Sequence, residues 1–119
     1  MDGGQSMTRS DLTLAVVGLG AIGLPMAINL CRAEFRLRVH TRSRRAEADP
    51  GLAGAIGCAS PAEACQGADV LLLCVSDDAA VDAVLFGPEG AASTLSPAAV
   101  VLDCSTIAPS TAIAAAERL

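Results

Sequence analysis

Residues 12–23 read LTLAVVGLGAIG, and the fold follows from how this stretch is divided. Leu12 to Val17 is a short apolar run with β-branched residues that stops at Gly18, as a buried strand does. From Ala21 to Ala33 the period changes. Ile22, Met26 and Leu30 stand at i, i+4 and i+8, the spacing of one helix face. Pro25 fits only near a first turn, where backbone N–H groups have no intrahelical partner, so the helix begins close to Gly20. Between the two elements, Gly18-Leu19-Gly20-Ala21-Ile22-Gly23 is G-x-G-x-x-G. Gly18 permits the tight turn, Gly20 lets a pyrophosphate approach the backbone, and Gly23 lets the helix pack closely on the sheet, with the anion at the helix N-terminus. A purely structural turn is the alternative. The strand before and the helix after favour a dinucleotide.

Further along, Leu37 to His40 is a second strand candidate. Residues 46–68 are interrupted by Pro50, Gly51, Gly54, Gly57 and Pro61. They admit a short helix, a short strand near Ile56 to Ala59, and a helix from Pro61 to Gln66. Val70 to Val75 is a continuous apolar run and a strand. Asp77 or Asp78 can cap the next helix, in which Val81, Val84 and Leu85 lie three and four apart. Gly87 to Pro97 reads as a loop, Ala99 to Leu102 as the last strand, and Pro109 to Leu119 as an alanine-rich helix. Strands alternating with helices imply βαβ crossovers, hence an α/β fold whose parallel sheet is covered on both faces.

Composition narrows the function. At 119 residues, 52% hydrophobic and 18% charged, the chain is one small globular domain, and too apolar to be disordered. Residues 1–11 form a polar leader without the apolar region of a secretory signal, and no apolar run approaches the roughly 20 residues of a membrane span. A cytoplasmic location without membrane partners is expected. Thirteen acids against eight bases, with Phe35 and Phe86 as the sole aromatics, argue against nucleic acid as a partner. Cys31, Cys58, Cys65, Cys74 and Cys104 are odd in number and make no C-x-x-C pair, which predicts reduced thiols and no metal site.

All eight basic residues are arginine. Residues 1–45 carry seven arginines and three acids, and the remainder one arginine and ten acids. Arg38, Arg42, Arg44 and Arg45 crowd the end of the second strand. An NAD site usually places Asp or Glu about 20 residues past the glycine loop, on the ribose hydroxyls. Here that neighbourhood reads His40-Thr41-Arg42-Ser43-Arg44-Arg45, without an acid. Arginine suits a 2′-phosphate through charge-assisted hydrogen bonds. NADP is therefore expected over NAD, with a solvated basic loop as the alternative. His40, the one histidine, is read as a packing or surface residue.

Residues 16–30, VVGLGAIGLPMAINL, resemble the N-terminal signature of the β-hydroxyacid dehydrogenases. That family includes 3-hydroxyisobutyrate dehydrogenase, tartronate semialdehyde reductase and, as a relative, 6-phosphogluconate dehydrogenase. The family has Met where Ile22 stands, a volume-conserving change. Thr41-Arg42-Ser43 resembles its Asn-Arg-Thr, keeping the arginine. Cys74-Val75-Ser76-Asp77-Asp78 is similar to its segment at the end of the fourth strand. Asp103 to Pro109 matches its D-x-S-T-x-x-P.

The resemblance implies a Rossmann-type doubly wound sheet of about five strands over residues 12–119, truncated and without a second domain. It implies cofactor contacts from Gly18, Leu19, Gly20, Ala21, Ile22, Gly23, Thr41, Arg42, Ser43, Cys74, Val75, Ser76 and Thr106, and substrate contacts from Ser105 and Thr106. Without it, Ser105-Thr106 before Pro109 would read as a helix cap.

The family's general acid/base is a lysine, and this sequence has none, so no catalytic residue is assigned. The expected function is the NADP-binding portion of an oxidoreductase of small 3-hydroxy acids or semialdehydes, inactive alone. The expected fold is marginal and associates through an exposed sheet edge. A non-catalytic dinucleotide-binding module is the alternative, and a methyltransferase-like loop is disfavoured by the match at Asp103 to Pro109.

Overall fold

The chain's computed structural model describes residues 11–43, 45–75 and 78–104. Leu14, Ala15, Val16 and Val17 are all buried, so strand β1 (Thr13–Val17) is covered on both faces and stands in the middle of the sheet. On one side it pairs in parallel with β2 (Arg36–His40), Leu14 opposite Leu37 and Val16 opposite Val39. On the other it pairs with β4 (Val70–Leu73), Ala15 opposite Leu71 and Val17 opposite Leu73. The short β3 (Ile56–Gly57) extends β2, and β5 (Val100–Asp103) extends β4. The order β3-β2-β1-β4-β5 means that the chain runs outward to β3, then crosses back over β1 to begin the second half.

The helices divide between the faces accordingly. Helix α1 (Gly23–Arg32) contributes Ala27 to a core with Leu14, Val16, Leu37, Val39 and Leu52. Helices α2 (Pro61–Cys65) and α3 (Asp78–Phe86) cover Ala15, Val17, Leu71 and Leu73 with Ala64, Cys65, Val81 and Leu85. This is the doubly wound parallel sheet expected from the sequence.

Several local expectations change. Helix α1 starts at Gly23, and its contact face is Gly23 and Ala27, both buried, while Ile22 is 58% exposed. Small residues form that face because the helix backbone comes down onto the strand below, leaving the larger side chains to flank it. The short helix allowed within residues 46–68 appears as two 3-10 turns, Ala46–Ala48 and Pro50–Leu52, and β3 is only two residues long. The β4 ladder stops at Leu73, before Cys74 and Val75. The helix expected over Pro109 to Leu119 lies outside the described residues.

Helix α2 shows how short elements here depend on side chains. The Ser60 hydroxyl accepts the Glu63 N–H at 3.1 Å, the Glu63 carboxylate accepts the Ala59 N–H at 3.2 Å, and Pro61 occupies the first turn. At the other end, Nε and Nη2 of Arg38 donate to the Glu63 carbonyl at 3.3 and 2.8 Å. Arg38 belongs to the arginine-rich stretch in sequence, yet its guanidinium closes a helix.

Burial pushes the Cys65 thiol up to about 12, neighbouring Cys58 adds to the rise, and Arg38 opposes it. The unfolded thiol ionises near its ordinary value of 9.0, the folded one does not, so this contribution to stability is complete below about pH 9 and is lost as pH climbs towards about 12. The urea midpoint should fall between pH 9 and 11, and the fall should be shallower in Cys65→Ala.

Candidate dinucleotide site

The strands end together at one edge of the sheet, and β1 supplies its turn there. Gly18 has φ +100°, a conformation that L side chains rarely adopt. Its N–H donates to the His40 carbonyl at 2.9 Å, and beside it the Cys74 N–H donates to the Val17 carbonyl at 2.9 Å. A Cβ at Gly18 would strike the Cys74 carbonyl oxygen, and one at Gly23 would strike the Gly18 carbonyl oxygen. Both glycines are therefore demanded by the chain's own packing.

Gly20 differs. A Cβ there would meet no protein atom within 4 Å, and Gly20 does not have the positive φ of Gly18. The protein's own packing does not require this glycine, and unlike Gly54, which is equally open, it lines a cleft. The first turn of α1, which follows, carries no acidic residue and no side-chain cap. Its positive end is left to an anion.

Around this turn lies a cleft of about 690 Å³. Gly18, Leu19 and Gly20 form its floor, Thr41 and Arg42 border it after β2, and Cys74 and Val75 border it after β4. Seven of the expected cofactor residues thus meet in one place. Ala21 and Ile22 are exposed beyond the lining, Gly23 is buried beneath it, and Ser43 is exposed, its hydroxyl accepting the Arg45 N–H at 3.4 Å. Ser76, Ser105 and Thr106 lie outside the described residues, as does Arg44.

The opposite wall was not anticipated. Pro61 and Pro88, with Ala79, Ala80, Ala83 and Val84 of α3, line the cleft with small apolar groups. The alanine spacing of four along α3 is the available signal, and Val84, partly buried against the core, also reaches the cleft. His40 also lines the cleft. Its Nδ1 lies 2.9 Å from the Cys58 carbonyl, an obligate acceptor, so Nδ1 carries the proton and the ring is fixed. The Cys74 thiol is pushed up to about 11, chiefly by burial and further by Cys104 and Asp103, so it is neutral near pH 7 and no nucleophile. Among the described residues, no cluster of His, Cys, Asp and Glu could hold a metal ion, and no helix is long and apolar enough to cross a membrane.

A glycine turn at the switch point of a doubly wound sheet, with an uncapped helix behind it, defines a nucleotide-binding Rossmann domain. Residues 13–119 match the family described as the NAD binding domain of 6-phosphogluconate dehydrogenase, and the chain belongs to that family. It is 37% identical over 99 residues to an NAD-dependent L-serine dehydrogenase of Pseudomonas aeruginosa, covering 83% of this chain and 33% of that one. Among solved structures, Mycobacterium tuberculosis 3-hydroxyisobutyrate dehydrogenase with L-serine superposes with a TM-score of 0.79 at 27% identity, over 90% of this chain and 36% of that one. Psf3 in complex with NADP+ and 2-OPP gives a TM-score of 0.79 at 30% identity, over 88% and 38%. The chain spans about a third of the length of the curated relatives it matches. It is an NAD(P)-binding domain of the Rossmann type.

The two kinds of glycine separate by substitution. Gly18→Ala should lower the unfolding free energy by more than about 2 kcal/mol in urea titrations, through positive φ and a backbone clash. Gly20→Ala should leave it unchanged or raise it by up to about 1 kcal/mol, since a methyl there meets nothing.

Proposed function

We propose that the cleft binds NADP(H) in preference to NAD(H), as the cofactor-binding portion of an oxidoreductase acting on a small 3-hydroxy acid or semialdehyde. The observation that carries the dinucleotide is Gly20, a glycine that the fold leaves free and that a diphosphate lying on its backbone would require. The backbone N–H groups of the turn and of the start of α1 would hold that diphosphate. Arg42, exposed on the cleft border after β2, would hold the 2′-phosphate. The Pro61 and α3 wall offers an apolar surface to the bases, and Cys74 and Val75 border the far end of the cleft.

When bound, the nicotinamide supplies a hydride donor or acceptor. The protein's share in such chemistry is to orient the ring, exclude water and move a proton to or from the substrate oxygen. The first falls to the cleft. The last has no lysine among these 119 residues to perform it, and the neutral Cys74 is a poor substitute. Cofactor binding without turnover is therefore the expected behaviour of this chain. Ser105 and Thr106, by resemblance, would meet the substrate, and Thr106 and Ser76 the cofactor.

NADPH should bind more tightly than NADH in direct titration, and Arg42→Glu should abolish the difference. Gly20→Ala should weaken both by roughly tenfold by occupying the diphosphate's place. Equal weak binding of both cofactors, or tighter binding of NADH, by the unaltered chain would refute the preference.

The outer strand supports the expectation of self-association. Val100 and Leu102 of β5, the outermost strand among the described residues, are 52% and 48% exposed. Light scattering should show mass above the monomer at micromolar concentrations, reduced in Leu102→Glu.

A further inference from the structure

The turn that carries Arg42 is anchored by a side chain that does not line the cleft. The Thr41 N–H donates to Glu47 Oε2 at 3.0 Å. Glu47 sits in the 3-10 turn Ala46–Ala48, whose backbone is closed by Ala48 N–H to the Arg45 carbonyl and Asp49 N–H to the Ala46 carbonyl, both at 3.1 Å. The other carboxylate oxygen lies against β3. A Cβ built on Gly57 would come within 2.7 Å of Glu47 Oε1. Gly57 in turn stands in register with Val39 of β2, and the Cys58 N–H donates to the Val39 carbonyl at 2.7 Å. The carboxylate is thus wedged between the end of β2 and the strand beside it.

An N–H bond to a carboxylate is shorter and stronger than one to a neutral acceptor. Here it fixes the peptide that joins His40 to Thr41, one residue before Arg42. Arginine has a long, flexible stem, so the backbone at its root determines which region its guanidinium can sample. Arg38 is committed to α2 and Arg45 is exposed beyond the lining, which leaves Arg42 as the described arginine on the cleft border.

We propose that Glu47 is a positioning residue for cofactor discrimination. Held between the Thr41 N–H and Gly57, it keeps Arg42 at the cleft border and so sets the preference for a 2′-phosphorylated adenosine ribose over the unphosphorylated one. This rests on the reading of the cleft given above. An acid so close to the ribose end would ordinarily speak for NAD. Its engagement with backbone and β3 converts it into a support for the neighbouring arginine.

The test is a pair of fluorescence titrations on the full chain with NADPH and with NADH. The chain has no Trp or Tyr, so the signal is the cofactor's own. Glu47→Ala should lower the NADPH-to-NADH affinity ratio by about fivefold, the worth of one hydrogen bond, while NADH affinity stays within about twofold. Glu47→Gln retains an oxygen that accepts the Thr41 N–H and should restore most of the ratio. Gly57→Ala displaces Oε1 without removing charge and should lower the ratio in the same direction. An unchanged ratio, equal loss for both cofactors, or a ratio that rises in Glu47→Ala would overturn the role of Glu47 while leaving the cleft's reading in place. Binding of neither dinucleotide to the unaltered chain would overturn both.

Discussion

One backbone contact organises the molecule: the turn at Gly18 seated against the carbonyl of Cys74. The positive φ of Gly18 turns the chain out of β1 sharply enough for α1 to begin within a few residues. Its carbonyl then sits beneath Gly23, so strand, turn and helix are in backbone contact with no side chain between them. The N–H of the same residue extends the β1–β2 ladder to His40. The ends of three strands and the start of a helix are thereby drawn to one point. Because β1 is central and the chain reverses direction across it, that point lies where the two halves of the sheet diverge, and a cleft opens there.

The division of labour among similar residues follows from position. Gly18 and Gly23 serve the fold, while Gly20 faces open space. Arg38 lies within β2 and closes α2, whereas Arg42 lies past the strand's end and faces the cleft. β2 ends at His40, so Arg38 is held within the sheet against α2 while Arg42 follows in the turn beyond it. Acids divide likewise: Glu63 caps its own helix, Glu47 binds the backbone after β2, and the Asp69 carboxylate accepts the Thr13 N–H at 2.9 Å where β1 begins beside β4.

The strands and the glycine turn were readable because their signals are local. LTLAVV and VLLLCV are continuous apolar runs, and a buried parallel strand needs nothing else to declare itself. Of the stripe Ile22, Met26 and Leu30, the last two pack half-buried against the core, while Ile22, ahead of the helix, is exposed; closest approach to the sheet belongs to Gly23 and Ala27, which periodicity does not single out. The short helix in residues 46–68 could not be placed or typed because Asp49, Pro50 and Gly51 form a side-chain-capped turn rather than a periodic pattern.

Taken alone, the order of residues was enough to establish a parallel α/β sheet, the place of the anion-binding turn and the basic character of the loop after β2, since each depends on neighbours a few positions apart. It could not establish that small side chains of α3 and two prolines form the opposite wall, or that Glu47 folds back onto Thr41 and Gly57. Those outcomes depend on groups brought together from separate elements by sheet pairing and helix packing, and such proximity exists only once the long-range contacts have formed.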